Sequence, residues 1–179
     1  MIILFNKPFN VLSQFTDGNG RKTLADYITA KNVYAAGRLD YDSEGLIILT
    51  DDGKFQNIIS DPKHKLVKTY LVQVEGIPKE DDLYKLRKSV ILKDGITKPA
   101  EAKIVSSLNI WERTPAIRER KHIPTSWIEL KISEGKNRQV RRMTASIGYP
   151  TLRLIRTSIG KYKLNNLRPG DWKEIKVNL

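Results

Sequence analysis

Apolar positions recur along this chain in three patterns, alternation, unbroken runs and helical spacing, and each pattern marks out elements. Ile2 to Phe5 and Val11 to Gln14 read as strands flanking the turn Asn6-Lys7-Pro8-Phe9-Asn10. A glycine-rich loop over 17–22 precedes a short helix from Thr23 to Ile28, and Val33 to Ala36 reads as a further strand. Leu46 to Thr50 is a continuous apolar strand, and Asp51 and Asp52 then supply an N-cap for a helix from Gly53 to Ile59.

The stretch Leu66 to Gly76 alternates as a long strand, with Leu71 and Gln73 on the face opposite Val72 and Val74. Pro78 opens a helix over Lys79 to Lys88, in which Leu83 and Leu86 keep helical spacing, and Ser89 to Ser107 reads as a hairpin turning at Asp94-Gly95. Arg113 to Pro124 is an irregular basic loop. Ser126 to Ser133 is a strand with Trp127, Glu129 and Lys131 on one face and Ile128, Leu130 and Ile132 on the other.

From Asn137 to Gly148 a helix is predicted whose apolar stripe is Val140, Met143, Thr144 and Ile147. Arg138 and Arg142 then point the opposite way, and Arg141 lies on the border. Gly148 and Pro150 end it, and Leu152 to Val177 reads as strands with turns at Asn165-Asn166 and Pro169-Gly170. Strands and helices alternate without a strict βαβ rhythm, which predicts an α+β fold around a mixed sheet. There is no repeat or low-complexity linker, so the expectation is a single catalytic domain over residues 1–179, or two closely packed lobes.

Composition narrows the chemistry. The absence of cysteine removes disulfides, thiolate metal sites and thiol nucleophiles, and two histidines are too few for a histidine-built metal centre. No apolar run approaches the roughly 20 residues that span a bilayer, and no signal peptide is evident, so a cytoplasmic protein without membrane contact is expected. Net charge is +12, and three stretches hold +10 of it: residues 63–68, with Lys63 and Lys65; residues 113–121, with Arg118, Arg120 and Lys121; and residues 136–142, with Lys136, Arg138 and Arg142. Clustered cations of this kind are the footprint of a nucleic-acid binder.

Against that background the acidic segment Asp40 to Asp52 stands out. Asp51 and Asp52 fit a helix cap, and Asp42, Ser43 and Glu44 fit a turn. Asp40, after Gly37-Arg38-Leu39, fits either an Asx turn or a reacting carboxylate. Asp40, Asp42 and Glu44 together would suit a hard cation but lack the glycine pattern and final glutamate of a calcium loop. As a nucleophile, a carboxylate needs a cation to keep it ionised, and Arg141 is a candidate. Tyr70 is a core aromatic or a platform for a flipped base, and Lys7-Pro8 fits a simple turn.

Five segments in order carry a resemblance to the rRNA pseudouridine synthases, the family that includes small-subunit enzyme A and large-subunit enzymes B, E and F. They are Asn6-Lys7-Pro8, the stretch from Gly37 to Gly53, Lys68-Thr69-Tyr70, the stretch from Glu134 to Met143, and that from Leu152 to Gly160. Segments 113–127 and 137–156 are similar almost residue for residue to a branch that lacks the N-terminal S4 RNA-binding domain. The chain likewise enters the catalytic domain at once, and no S4 domain is expected.

The resemblance implies the largely antiparallel central sheet of the pseudouridine synthase fold. It implies an isomerase that converts one uridine of 23S rRNA to pseudouridine, on free rRNA or on an assembling large subunit, without metal or cofactor. It makes Asp40 the carboxylate that attacks the uridine, Tyr70 the residue stacked on its base, and Arg141 the partner of Asp40. Arg38 would help fill the place of the flipped nucleotide, Leu154 would line the pocket, and Lys7 would be structural or RNA-facing. A monomer is expected. Two other readings of the same residues are a non-catalytic rRNA-binding assembly protein and a metal-dependent nuclease built on Asp40, Asp42 and Glu44.

Overall fold

The computed structural model describes residues 1–176. In chain order its elements are β1 (Ile2–Lys7), β2 (Tyr34–Ala36), β3 (Glu44–Thr50), α1 (Gly53–Ser60), β4 (Lys68–Glu75), α2 (Glu80–Lys88) and β5 (Ile91–Leu92), followed by β6 (Gly95–Ile96), β7 (Glu101–Val105), β8 (Thr125–Ile132), α3 (Gln139–Ser146), β9 (Thr151–Ile159), β10 (Tyr162–Lys163) and β11 (Trp172–Ile175). This is an α+β fold with a mixed sheet, as the patterning predicts. The chain divides into two compact units, residues 1–66 with 156 onward, and residues 67–155.

In the first unit the strands lie in the order β11-β1-β3-β9, with β2 also paired to β3 and β10 to β9. β1 and β3 run antiparallel, from Ile2 opposite Thr50 to Lys7 opposite Gly45. Every residue of both strands is buried, which is why they read as apolar runs rather than as alternation. Ile3, Phe5, Ile47 and Leu49 pack with Leu24, Val33 and Leu39 on one side of them.

Two expectations change in this unit. Val11 to Gln14 forms no strand; Leu12 makes one isolated bridge to Thr23, and Leu24 N–H donates to the Gln14 carbonyl at 2.9 Å. The helix expected from Thr23 shortens to one 3-10 turn, Leu24–Asp26. Thr23 caps it, while the Asp26 carboxylate accepts from the Thr23 N–H at 2.8 Å. Of the two acids before α1, only Asp52 caps, accepting from Lys54 N–H and Phe55 N–H. Asp51 instead pairs with the Met1 amino group at 2.8 Å.

In the second unit the order is β9-β4-β8-β7, with the β5–β6 hairpin apart. β4 and β8 are antiparallel and in full register, Lys68 opposite Ile132 and Glu75 opposite Thr125. Here alternation is real: Tyr70, Val72 and Val74 turn into the core with Ile128, Leu130 and Ile132. Leu83 and Leu86 of α2, and Val140 and Met143 of α3, close over it. Residues 113–124 contain no helix or strand, as expected. The strand reading that ran to Val177 ends at Ile175, and Val177 lies outside the described residues.

Candidate active site

Asp40 sits in the loop between β2 and β3, and that loop is held at alternate residues. Arg156 donates to the Gly37 carbonyl. Ser13 Oγ donates to the Leu39 carbonyl at 2.5 Å and accepts from the Leu39 N–H at 3.1 Å. The Tyr41 carbonyl accepts from Asn10 N–H at 3.0 Å and from Lys7 Nζ at 3.3 Å. Ser43 N–H closes the turn on the Asp40 carbonyl at 3.1 Å. Leu39 is itself a core side chain, so half-buried Asp40 stands on a backbone fixed on both sides. A carboxylate held this way can stabilise or capture a cationic sugar carbon.

Lys7 takes the structural one of the two roles expected of it. Its side chain is fully buried, and Nζ also donates to the Pro8 and Val11 carbonyls, both at 2.8 Å. This corrects the option of an RNA-facing Lys7: it supports the loop from beneath. Burial pulls its ammonium down to about 7, against the opposing pull of the Glu44, Asp42 and Asp40 carboxylates. Among the described residues no three His, Asp or Glu side chains come together as a metal-holding group, so Asp40, Asp42 and Glu44 do not form the cation site considered from their spacing.

Arg156 and Ser13 are supports that the sequence reading missed. Arg156 is buried and also donates from Nε to the Leu46 carbonyl at 2.9 Å, tying β9 to β3 and to the loop at once. The available signal was an arginine inside the apolar run Leu152 to Ile159, because arginine is almost never fully buried without partners. Arg38, by contrast, is exposed, with long contacts to the Ser13 carbonyl at 3.4 Å and Gln14 Oε1 at 3.5 Å.

In the second unit the structure brings Tyr70 and Leu154 together in one apolar cluster with Val140 and Met143. Arg141, on α3 between the buried stripe and solvent, is half-buried. The loop leading into α3 is clamped: Glu134 Oε1 accepts from Lys98 N–H at 2.7 Å and from Gln139 Nε2 at 2.8 Å, and Gln139 Oε1 accepts from Lys136 N–H at 3.1 Å.

The basic patches are less uniform than their charge suggests. Lys63, Lys65, Arg118 and Lys121 are exposed. Arg120 lies 3.7 Å from the Glu75 carboxylate. Arg138 precedes α3 in a left-handed conformation, φ 52°, rather than riding on the helix face as predicted. Arg142 makes a two-pronged contact to Asp94 at 2.6 and 3.0 Å, and Lys136 Nζ reaches the Asp94 carbonyl at 3.3 Å. These two residues fasten α3 to the hairpin tip. No helix among the described residues is long and apolar enough to cross a membrane.

A family model described as RNA pseudouridylate synthase matches residues 1–146. A relative named ribosomal large subunit pseudouridine synthase E, from Vibrio parahaemolyticus, is 61% identical over 98% of this chain and 74% of its own length. A protein of the same name from Xanthomonas campestris is 51% identical over 97% of this chain and 94% of its own. A solved structure titled as a crystal structure of pseudouridylate synthase superposes with a TM-score of 0.81 at 29% identity, covering 98% of this chain and 70% of that one.

Proposed function

The chain belongs to the RNA pseudouridylate synthase family, and from that premise we propose that it isomerises one uridine of 23S rRNA to pseudouridine with Asp40 as the reacting carboxylate. In that reaction the bond from the sugar to N1 of uracil breaks, the base turns, and a bond from the sugar to C5 replaces it, while C5 loses its proton and N1 takes one up. No oxidant, reductant or metal is needed for the balance. Asp40 attacks at the sugar or the base, and Arg141 is the cationic partner that the family resemblance assigns to it. Tyr70 stacks on the base, Leu154 lines its pocket, and Arg38 occupies space left by the flipped nucleotide. Residues 1–179 supply the catalytic domain, as a monomer in the cytoplasm, acting on free rRNA or on an assembling subunit.

The observation that carries this reading is the anchoring of the Asp40 loop at Gly37, Leu39 and Tyr41 by Arg156, Ser13 and Lys7. A turn former needs no such support from three distant parts of the chain, whereas a reacting group must be held in place. The net charge of +12 supports a polyanionic substrate. The test is tritium release from 23S rRNA labelled at C5 of uridine. Asp40→Asn should abolish release and retain RNA binding; continued turnover would overturn the assignment, and binding without isomerisation by the unaltered protein would favour an assembly role.

A further inference from the structure

Beside the Asp40 loop the first unit holds a cavity of about 350 Å³, lined by Ser13, Gln14, Phe15, Tyr34, Arg38 and Gln56 among others. Of its lining residues, Ser13 already holds the Asp40 loop and Arg38 already has a role beside the flipped nucleotide; the others are unassigned. Its size is at the lower end of the roughly 300–1,000 Å³ of small-molecule sites, enough for a single base with part of its sugar. We infer that this cavity is a subsite for a nucleobase of the substrate RNA, one or two nucleotides from the uridine that Asp40 attacks.

Its chemistry is that of base recognition. Phe15 and Tyr34 offer aromatic rings, the surfaces on which unstacked bases are held. Gln14 and Gln56 offer carboxamides, which carry a donor and an acceptor side by side and pair with the edges of bases. Both amides are oriented by the protein: Gln56 Nε2 donates to the Ala35 carbonyl at 3.2 Å, and Gln14 Nε2 donates to the Thr16 carbonyl at 2.7 Å. Each amide is thus positioned at the cavity wall, and Gln14 Oε1 also accepts from Arg38 Nη2 at 3.5 Å. Arg38, exposed at the rim, supplies a cation for the phosphate that accompanies the base.

Position selects the ligand. Arg38 is two residues from Asp40, so their backbones are separated by at most about 7 Å. A base bound here therefore belongs to the strand that delivers the target. The inference rests on the reading of the protein as an RNA isomerase, and it makes this cavity a determinant of which uridine is chosen.

The experiment first maps the modified uridine by carbodiimide treatment and primer extension of a 23S transcript, then uses a short RNA containing it. A series carries an abasic residue at each position within two nucleotides of the target. With the unaltered protein, one abasic position should lower kcat/KM at least tenfold. Gln56→Ala and Gln14→Ala should each lose fivefold or more on intact RNA and lose nothing further on that abasic RNA, because base and side chain make the same contact. Losses that multiply, or no sensitive position within two nucleotides, overturn the subsite while leaving the isomerase reading intact. An unaltered protein that forms no pseudouridine in the transcript overturns both. Thermal melting of the two variants separates local loss from unfolding.

Discussion

Ser13 holds Leu39 by both backbone polar groups, donating to its carbonyl at 2.5 Å and accepting from its N–H at 3.1 Å. Leu39 is the residue before Asp40, and it is buried, so neither group has water to fall back on. Ser13→Ala should therefore cost about 1–3 kcal/mol in denaturant unfolding. It should also lower kcat more than it weakens RNA binding, since the carboxylate loses its placement and the basic patches are untouched. Equal kcat with lowered stability would show that the chemistry tolerates a loose loop.

Lys7 predicts a pH dependence. In the unfolded chain its ammonium keeps its proton to about 10.5, whereas burial lets the folded protein release it near 7. Between those values the unfolded state binds the extra proton, so the Lys7 contribution makes stability rise with pH across that window and stay level below it. Unfolding curves at pH 6, 8 and 9.5 should show the rise, and Lys7→Met should flatten it. The same variant deprives the Pro8, Val11 and Tyr41 carbonyls of a donor, a loss of about 1–3 kcal/mol that any gain from relieved burial offsets only in part near neutral pH.

These two residues also show where a sequence is legible. The strands around Tyr70 and Leu130, and the stripe of Val140, Met143 and Thr144, follow from periodicity because burial there repeats every two or about four residues, and the strand around Ile47 follows from its unbroken apolar run. Asp40, Tyr70 and Arg141 stood out through motif resemblance. Ser13 and Arg156 did not, since their roles come from contacts 26 and 119 residues away in the chain, and the motif that named Lys7 could not show its contact to Tyr41, 34 residues away. The Asp94 contact of Arg142 was hidden for the same reason: a helical wheel places its side chain away from the apolar stripe, but not beside Asp94, 48 residues away.

The Arg142–Asp94 pair should behave as a unit. Arg142, hydrogen-bonded to the Asp94 carboxyl, holds it below the usual carboxylate range. Its stabilisation is present at neutral pH and is lost as pH falls through the lowered Asp94 value. Arg142→Ala should return Asp94 to an ordinary titration, followed by NMR of its carboxyl. Asp94→Ala and Arg142→Ala should alter RNA affinity by similar factors, because both release α3 from the hairpin. A much larger effect of Arg142→Ala would make Arg142 itself a phosphate contact.

The exposed cations give a different signature. Lys63, Arg118 and Lys121 are exposed, so replacing them with alanine should leave the unfolding midpoint within the small range of surface changes. Binding to rRNA should weaken, and the slope of log K against log salt should become shallower by about 0.7–0.9 for each phosphate contact removed. An unchanged slope would place the RNA on another face.

Gly45 is the point at which packing and chemistry meet most tightly. A Cβ there would lie 2.2 Å from the Arg156 carbonyl oxygen and 2.7 Å from its nitrogen, and φ of +109° is one that other residues rarely adopt. The clash is with backbone, so no side-chain rotation relieves it. Strain and overpacking each add roughly 1–3 kcal/mol. Gly45→Ala must push β9 away from β3, and Arg156 then shifts relative to the Leu46 and Gly37 carbonyls that it holds. The expected result is a large fall in unfolding midpoint together with reduced kcat in whatever remains folded. Gly53→Ala is the contrast: its Cβ would meet only the Tyr34 hydroxyl at 3.6 Å, at the start of α1, where alanine is a better helix former. If Gly45→Ala melts no earlier than Gly53→Ala, β9 does not brace the Asp40 loop through Arg156.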